Sequence, residues 1–403
     1  MSETDPAKTD PDGPTGPLDG IRIIDLSSVV MGPYATQTLG DMGADVIAVE
    51  DRNGDINRSM GKGPEPNISG VALNLMRNKR SIVLDLKQPD GRQAFLDLAA
   101  GCDVMVTNLR PGPLGRLGLT YEDVRRVRTD VVFCQAHGFP SDGPNADAPA
   151  YDDIIQSASG VPDLFQRQGF EPILLPTLVA DKVAGLTIVN AVLGGLFHRS
   201  RTGRGQFIEV PMIDAVRSFV LVEHGSSAVP EPKLDSAGHR RILTPHRRPQ
   251  PTHDGLVHLM PYSGEHYRKL FVEAGRPEFA DDRLSDRATR YANSDGLYRD
   301  LAIASTERRT DEWLAFCETE GIPCTAVATL DELVDELPLD EHPLFGTHRV
   351  IPHPVRYGET PASIHRPAPA LGEHGRELLT EVGYDRATID RLATDGTLVL
   401  PEA

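Results

Sequence analysis

The fold of this 403-residue chain is decided by residues 17–50, which read PLDGIRIIDLSSVVMGPYATQTLGDMGADVIAVE. Two short apolar runs, 21–26 and 44–50, are typical of buried strands, and the stretch 32–42 between them is long enough for a helix. Parallel strands need a crossover of this length, which is usually helical. The segment therefore predicts a strand–helix–strand unit at the start of a parallel sheet.

The same alternation continues through the first half of the chain. Further apolar runs at 80–86, 103–108, 131–139 and 207–212 predict strands, and helices are expected around 90–100 and 121–128. Short strands separated by helices favour an α/β fold, with a parallel sheet covered on both faces and right-handed crossovers.

The second half of the chain predicts a different organisation. The stretch 226–250 is rich in Pro, Arg and His without periodicity, which indicates a linker, and a smaller α+β unit follows it. We expect a disordered tail over 1–16, a large domain over 17–225 and a small domain with its linkers over 226–330. The C-terminal segment, 331–403, carries a final helix too short to fold alone, so we expect it to return to the large domain.

Composition narrows the classes of partner. Lys and Arg total 41 against 59 Asp and Glu, a net charge of −18, which argues against a nucleic-acid binder but allows a local cationic site for a small anion. The four cysteines form no CxxC pair, and the acidic N-terminus lacks the features of a signal peptide. The longest apolar stretch, 178–197, carries Asp181 near one end and suits a buried helix better than a membrane span. We expect a cytoplasmic protein that binds neither nucleic acid nor membrane.

A dinucleotide site at the first strand–helix turn is disfavoured. Its fingerprint needs three glycines, so that the backbone can approach a pyrophosphate. The turn has Gly32 followed by Pro33, whose ring removes an N–H group. A non-catalytic nucleotide-binding protein on this fold remains an alternative.

Asp181 stands at the head of the apolar helical stretch in PTLVADKVAGL and admits two interpretations. As a helix N-cap, a role that Asp favours, it would stabilise the helix by about 1 kcal/mol, and spacing alone favours this structural role. As a nucleophile, it would be kept ionised by the free N–H groups and the dipole of the helix terminus, and an ionised carboxylate can attack a thioester. The two interpretations are compatible.

Two loops carry further candidate residues. Arg110 and Arg116 in NLRPGPLGRLGL follow a strand end, and their spacing would allow both to reach one anionic group, although ordinary surface arginines explain them equally well. Tyr151, Asp152 and Asp153, taken alone, indicate solvated turn residues ahead of a helix. The motifs GxSxG, HExxH and GxxxxGK[ST] do not occur, and no metal site is expected.

Taken together, these segments resemble the family III CoA-transferases, or CaiB/BaiF proteins, which include formyl-CoA transferase, carnitine CoA-transferase and α-methylacyl-CoA racemase. The resemblance is carried by the opening segment, NKRSIVLDLK, NLRPGPLGRLGL, AYDDIIQSASG, the Asp181 helix with its TGRGQ turn, and GIPCTAVATLDEL. It implies a Rossmann-like large domain formed by both chain ends, a smaller α+β domain, and two subunits interlocked as a homodimer.

The resemblance also implies a site. Asp181 matches the family's nucleophilic aspartate, and coenzyme A is a substrate, with no cofactor held tightly. A basic residue usually follows the second strand; here Asp51 holds that position and Arg52 is next to it. The implied CoA contacts are Val30, Met31, Arg52, Leu84, Lys87, Asn108, Leu109, Arg110, Arg116, Ala150, Tyr151 and Asp152.

The implied reaction moves CoA from an acyl-CoA to a small carboxylic acid, through an aspartyl anhydride and an aspartyl-CoA thioester on Asp181. Similar racemases carry a histidine at the position of Tyr151, whose phenol, with an ordinary pKa near ~10, is a poor base at neutral pH. An acyl-CoA racemase or isomerase is therefore a disfavoured alternative. The stretch ILTPHRRPQPT lacks the glycines that close over oxalate in formyl-CoA transferase, which argues against oxalate and formate as substrates.

Overall fold

The computed structural model describes residues 16–65, 67–344 and 346–401, which form two compact units. The larger unit combines the residues up to Ser159 with Leu175–Phe219 and the chain from Leu337 onward, so both halves of the chain contribute to it. The smaller unit consists of Gly160–Leu174 and Val220–Glu336. The predicted tail over 1–16 lies, apart from Gly16, outside the described residues.

Three stretches, 160–174, 220–225 and 331–336, belong to the smaller unit and not to the parts of the chain where the sequence-based boundaries placed them. Gly160–Leu174, which falls within the expected large domain 17–225, belongs to the smaller unit. Contacts between residues far apart in sequence are the reason; for example, the Arg167 guanidinium donates to the Ala237 carbonyl at 2.8 Å. Local sequence patterns carry no signal for such contacts.

The secondary structure follows the predicted alternation, and the six strands expected in the large domain differ from the observed ones by at most two residues at either end. The strands are β1 (Arg22–Leu26), β2 (Asp45–Glu50), β3 (Lys79–Leu84), β4 (Val104–Thr107), β5 (Val132–His137), β6 (Gln206–Pro211), β7 (Gln250–Pro251), β8 (Leu256–Leu259), β9 (Cys324–Ala326), β10 (Leu339–His342), β11 (Gly346–Arg349) and β12 (Leu398–Val399). The α-helices are α1 (Met31–Asp41), α2 (Gly70–Leu75), α3 (Pro89–Ala100), α4 (Pro111–Leu117), α5 (Tyr121–Val127), α6 (Asp152–Ala158), α7 (Val161–Arg167), α8 (Val179–Thr202), α9 (Met212–His224), α10 (Gly264–Glu273), α11 (Arg287–Ala292), α12 (Ser294–Ala304), α13 (Thr310–Glu320), α14 (Leu330–Asp335), α15 (Gly375–Glu381) and α16 (Arg386–Thr394).

The larger unit is built on a seven-stranded sheet with the order β12-β3-β2-β1-β4-β5-β6. Strands β1 to β6 run parallel, whereas β12 pairs antiparallel with β3 at the edge. Strands β1 to β5 are buried along nearly their whole length, as expected when helices cover both faces, whereas the edge strand β6 is mostly half-buried. The strand order reverses between β1 and β4, and sheets of this type bind ligands beyond the carboxyl ends of their strands at that reversal.

Residues from the two ends of the chain share one hydrophobic core. Phe95, Met105 and Phe133 are buried in the same cluster as Leu378 and Leu398 of the C-terminal segment. Burying side chains of this size stabilises a fold by about 1.5–3 kcal/mol each. The C-terminal segment is therefore an integral part of the larger unit.

A wholly buried lysine ties the end of β1 to the start of α1. The Lys79 ammonium donates to Asp25 Oδ2 at 3.0 Å, to Thr36 Oγ1 at 2.7 Å and to the Pro33 carbonyl at 3.0 Å. A buried charge is tolerated when it is paired and hydrogen-bonded in this way. The network holds the turn between β1 and α1 in place.

The long helix α8 packs against α1 and against strands β5 and β6. Among the described residues it is the one helix that is long and apolar enough to cross a membrane, but here it serves as a core helix of the larger unit. Its glycines permit this packing: a Cβ on Gly185 would lie 2.9 Å from the Met31 carbonyl oxygen, and a Cβ on Gly195 would lie 2.6 Å from Val132 Cγ1. These positions allow α8 to approach α1 and β5 closely.

The smaller unit has a three-stranded antiparallel sheet, β7-β8-β9, packed with helices. Its core surrounds the buried Trp313, whose indole N–H donates to the Ser305 carbonyl at 2.8 Å. All four cysteines of the chain are free, in agreement with the lack of a paired motif.

Candidate active site

A cleft of about 1090 Å³ opens at the carboxyl ends of the parallel strands. Its walls are the segments that follow β1, β2, β3 and β4, together with Tyr151, which precedes α6. The lining residues are 26–29, 49–56, 84–87, Met60, Leu109, Leu117 and Tyr151. The cleft therefore lies where this sheet topology places its ligands.

An adjoining cleft of about 680 Å³ shares part of this wall, including Leu86, Lys87 and Leu109. Arg116 and Arg92 line this second cleft. Together the two clefts present the cations of Arg52, Lys87, Arg92 and Arg116 on one surface of a protein whose net charge is −18. The first cleft also carries the carboxylates of Glu50, Asp51, Asp55 and Asp85. The lining of the second cleft includes Lys87, Arg92 and Arg116 and no acidic residue, so the positive charge that suits an anionic ligand is concentrated there.

The structure brings together half of the predicted CoA contacts on this surface. Arg52, Leu84, Lys87, Leu109 and Tyr151 line the first cleft, and Arg116 lines the second. Arg92 is a further cation that sequence reasoning missed. It lies within α3, where an exposed arginine is ordinary and gives no sign of a site.

The remaining predicted contacts lie elsewhere or have structural partners. Val30 and Met31 are buried, and Ala150 packs on Gly138. The Arg110 guanidinium donates to the Asp147 carbonyl and is not among the residues that line either cleft. Arg116 therefore lines the second cleft, whereas the Arg110 guanidinium is hydrogen-bonded to a loop carbonyl.

Asn108 supports the cleft from the side of β4. Its side-chain oxygen accepts from the Ser28 N–H at 3.0 Å, and its amide nitrogen donates to the Ser28 carbonyl at 2.7 Å. This pair of bonds fixes the turn between β1 and α1. Asn108 thereby determines the position of this turn.

The same turn contains a strained residue. Val29 adopts a positive φ of 72°, a conformation that costs a β-branched residue about 1–3 kcal/mol. Its N–H donates to both carboxylate oxygens of Asp55 at 3.1 Å. Burial raises the pKa of Asp55 to about 6. Val29 and Asp55 both line the cleft, so the strain is located at the candidate site.

Asp181 lies in the first turn of α8 but is not its N-cap. The helix begins at Val179 and its N-cap is Leu178, which makes no side-chain capping bond. The structural interpretation of Asp181 as an N-cap is therefore wrong. The helix extends two residues further upstream than the sequence indicated, because another segment supplies the cap.

The cap is the carboxylate of Asp152, the first residue of α6. Its Oδ1 accepts from the N–H groups of Ala180 at 2.7 Å and Asp181 at 3.1 Å, and its Oδ2 accepts from Gln156 Nε2 at 2.5 Å. Asp152 is only 4% exposed, which contradicts its interpretation as a solvated turn residue. Sequence reasoning missed this role because the two partners are separated by almost thirty residues.

Asp181 is left with an unpaired carboxylate. Within the part of the chain that the structure describes, the Asp181 side chain makes no hydrogen bond or ion pair. The nearby N–H groups of Ala180 and Asp181 donate to the Asp152 carboxylate instead. Burial, reinforced by the Asp152 carboxylate, raises the pKa of Asp181 to about 6. Free N–H groups, which the sequence suggested would hold the carboxylate ionised, are not available to it.

Two neighbouring contacts place Asp181 relative to the cleft. One turn along α8, Gly185 lies directly against Met31 and Tyr34 at the start of α1, next to the turn that lines the cleft. Tyr151, on the cleft wall, immediately precedes the capping residue Asp152. Asp181 itself does not line either cleft, but α8 and Asp152 connect its backbone to two segments that border the first cleft. No group of three or more His, Cys, Asp or Glu suited to a metal ion occurs among the described residues.

A doubly wound sheet with a large cleft at its strand ends, next to a second cleft lined by cations, offers a binding place for an anionic ligand. Residues 18–375 match the family described as CoA-transferase family III.

Relatives with named activities agree with this class. A succinyl-CoA:glutarate CoA-transferase of Mus musculus is 31% identical over 395 residues, which cover 95% of this chain and 90% of the mouse protein. A succinate–glutarate CoA-transferase of Agrobacterium fabrum is 33% identical over 400 residues, covering 94% of this chain and 98% of that protein. The crystal structure of a CAIB/BAIF family protein from Brucella suis matches with a TM-score of 0.79 and 27% identity, covering 91% of this chain and 100% of that one.

This chain therefore belongs to CoA-transferase family III, and it is an enzyme, a CoA-transferase. Enzymes of this class use CoA thioesters as substrates. The sequence-based prediction of the family is confirmed, as is that of an α/β fold dominated by a parallel sheet.

Proposed function

We propose that Asp181 is the covalent nucleophile of CoA transfer. Its carboxylate attacks the thioester carbonyl of the acyl-CoA, the carbon–sulfur bond breaks, and CoA leaves as the thiolate. The product is a mixed anhydride between Asp181 and the donor acid. The thiolate then attacks the Asp181 carbonyl of this anhydride, which releases the donor carboxylate and leaves an aspartyl-CoA thioester.

The acceptor reverses these steps. Its carboxylate attacks the aspartyl-CoA carbonyl and expels CoA thiolate, and the thiolate attacks the acceptor carbonyl of the new anhydride. The acceptor leaves as a thioester, and Asp181 is regenerated as a carboxylate. No proton is consumed in the cycle, and one thioester is exchanged for another.

The unpaired Asp181 carboxylate is the observation that carries this proposal. A carboxylate satisfied by hydrogen bonds is a poor nucleophile, whereas one that is half-buried and unpartnered is reactive once it is ionised. Its pKa of about 6 still leaves it mostly ionised near neutral pH. The buried surroundings also exclude water, which would otherwise hydrolyse the anhydride.

We propose that the phosphates of CoA bind to four cations that line the two clefts, Arg52, Lys87, Arg92 and Arg116. Arginine favours bidentate contacts with phosphate, and charge-assisted bonds of this kind contribute about 1.5–3 kcal/mol each. Leu84 and Leu109 supply an apolar wall between these cations. We place the nucleotide end of CoA here and its thioester toward Asp181.

We further propose a short dicarboxylic acid as the acyl group exchanged, with succinyl-CoA as donor and glutarate as acceptor. The support is that two relatives covering nearly the whole chain are named for succinate and glutarate. The protein is proposed to act in the cytoplasm as an interlocked homodimer, as the family resemblance implies.

The test is trapping of the covalent intermediate. Incubation with succinyl-CoA, followed by hydroxylamine or by direct mass spectrometry, should place a hydroxamate or a CoA adduct on the peptide that contains Asp181. Asp181→Ala should lose both adduct and turnover while remaining folded. Asp153→Ala, at an exposed position of α6, is the matched control and should behave as wild type. Turnover above about a tenth of wild type in Asp181→Ala, or an adduct on another residue, would refute the assignment.

A further inference from the structure

Two carboxylates, those of Asp152 and Asp181, lie at the N-terminus of α8, and only one of them accepts hydrogen bonds from its N–H groups. Asp152 holds the N–H groups of Ala180 and Asp181, whereas the Asp181 side chain has no partner among the described residues. A helix N-terminus stabilises negative charge through these donors and through the helix dipole. Here the residue proposed to react is denied those donors by a neighbour that does not itself line the cleft.

Asp152 is held rigidly in this role. It is 4% exposed, and its second oxygen accepts from Gln156 Nε2 at 2.5 Å. Gln156 is itself buried, and its Oε1 accepts from the Leu175 N–H at 2.9 Å, on the segment leading into α8. Asp152 and Gln156 therefore connect α6, the approach to α8 and the first turn of α8 in one network. Both oxygens of Asp152 are engaged in this network, Oδ1 by two hydrogen bonds and Oδ2 by one.

We propose that Asp152 is a positioning residue for Asp181, fixing the first turn of α8 and setting its negative charge beside the nucleophile, instead of contacting CoA. This inference rests on the proposed function, since it assigns a role toward the reacting carboxylate. Two consequences follow from the geometry. Asp152 sets the orientation of Asp181 through its backbone N–H, and it makes the reacting carboxylate more basic by withholding donors and by like-charge repulsion.

The charged groups around Asp181 support this division of roles. On α8 itself, the exposed Lys182 points its ammonium to Thr177 Oγ1 at 2.6 Å. From α1, Tyr34 packs beside Gly185, one turn further along α8. From α6, the Asp152 carboxylate is the group whose charge adds to burial in raising the pKa of Asp181. A more basic carboxylate is a stronger nucleophile, but it demands a higher pH for ionisation.

The experiment compares pH–rate profiles of Asp152→Asn and of the control Asp153→Asn, an equal loss of charge at an exposed position of the same helix. Asparagine keeps an oxygen that accepts from Ala180 and Asp181 but removes the charge. In Asp152→Asn we expect the acid limb of kcat to move down by about one pH unit, with KM for succinyl-CoA changed by less than about threefold. Asp153→Asn should leave the limb in place.

In Asp152→Asn, the new side-chain N–H group would face the N–H donor of Gln156, and two donors cannot hydrogen-bond to each other. Because this clash could destabilise the fold, a second variant is needed. Asp152→Asn/Gln156→Glu restores this hydrogen bond with donor and acceptor exchanged, and moves the negative charge away from Asp181. If the single variant does not fold, the shift of the acid limb of kcat is measured in the double variant instead. An acid limb that stays at its wild-type pH overturns the inference. So does a rise of about tenfold in KM for succinyl-CoA with the limb unmoved, because that result assigns Asp152 to CoA binding.

Failure of this inference can be distinguished from failure of the proposed function. If the limb does not move while hydroxylamine still traps Asp181 in Asp152→Asn, the positioning role falls and the nucleophile stands. If wild-type enzyme gives no adduct on Asp181, the covalent mechanism falls, and with it the role of Asp152 toward that residue.

Discussion

At the scale of single residues, burial of the Asp181 carboxyl group lowers the free energy of unfolding near neutral pH, where the group is ionised. Its carboxyl has a pKa of about 6 in the folded chain, compared with about 4 in an unfolded chain. Between these values the unfolded state releases its proton while the folded state retains it. The stabilisation associated with the protonated carboxyl is therefore fully present below pH ~4 and is lost as the pH rises to ~6.

Asp181→Asn should consequently stabilise the protein in a pH-dependent way. The amide carries no charge to bury, so we expect its free energy of unfolding at pH 7.5 to exceed that of wild type by on the order of 1–2 kcal/mol. At pH 5 the difference should be about half as large, since wild type is then partly protonated in the folded state. Denaturant titrations at both pH values measure it. Equal stability at pH 7.5 would show that the Asp181 carboxylate is not strained by burial.

Arg116 offers a test of the CoA placement. It lines the second cleft with Lys87 and Arg92, and loss of one charge-assisted phosphate contact should raise the KM for acyl-CoA about tenfold or more. The effect on the acceptor acid should be smaller. Arg386→Ala, at a highly exposed position on α16, is the control and should leave both KM values unchanged. A defect confined to the acceptor would assign the cleft to the acid instead.

The sequence identified the residues at the site better than their roles. Asp181 and the cations Arg52, Lys87 and Arg116 were recognisable because motif position and residue type suffice for them. The role of Asp152 was not recognisable, since its bonds to Ala180 and Asp181 join two helices that are distant in sequence. The bond between Arg110 and the Asp147 carbonyl was likewise not recognisable, because it joins two loops that are distant in sequence.

At the scale of secondary-structure elements, the close approach of α1 and α8 determines where Asp181 lies. Gly185 is the contact point, with Met31 and Tyr34 on the other side. The periodicity of the sequence predicted both helices. Their contact could not be predicted, because one glycine in an apolar helix has the same local pattern whether it packs against a neighbour or faces solvent.

A pair of glycine substitutions on α8 separates these two situations. In Gly185→Ala the new Cβ would lie 2.9 Å from the Met31 carbonyl oxygen, so we expect a loss of about 1–3 kcal/mol in stability and a lower kcat as α8 shifts. Gly194, also within α8, has open space around its Cβ position. Gly194→Ala should gain up to about 1 kcal/mol from helix propensity, with unchanged kcat. Thermal unfolding and initial rates measure both, and a neutral Gly185→Ala would contradict the close packing.

At the scale of the whole molecule, the predicted assembly is an interlocked homodimer. Apolar side chains on α8 and α9, among them Phe197, Phe219 and Val222, are exposed in the single chain, which is consistent with a partner covering them. Linked chains cannot separate without unfolding. We therefore expect sedimentation at nanomolar concentration to find a dimer, with dissociation only in denaturant. A monomer that retains its circular dichroism spectrum on dilution would refute the interlocked arrangement.

The position of β12 has a consequence for how the protein is made. It is synthesised after every other strand of the sheet, yet it covers the edge strand β3, which leaves the ribosome much earlier. Until β12 emerges, the free edge of β3 near Leu84 is a template for pairing with other nascent chains. A chain released before Leu398 is made would contain Asp181 and every residue of the cleft lining, but would expose an unpaired sheet edge. Such chains are natural clients for chaperones and proteases.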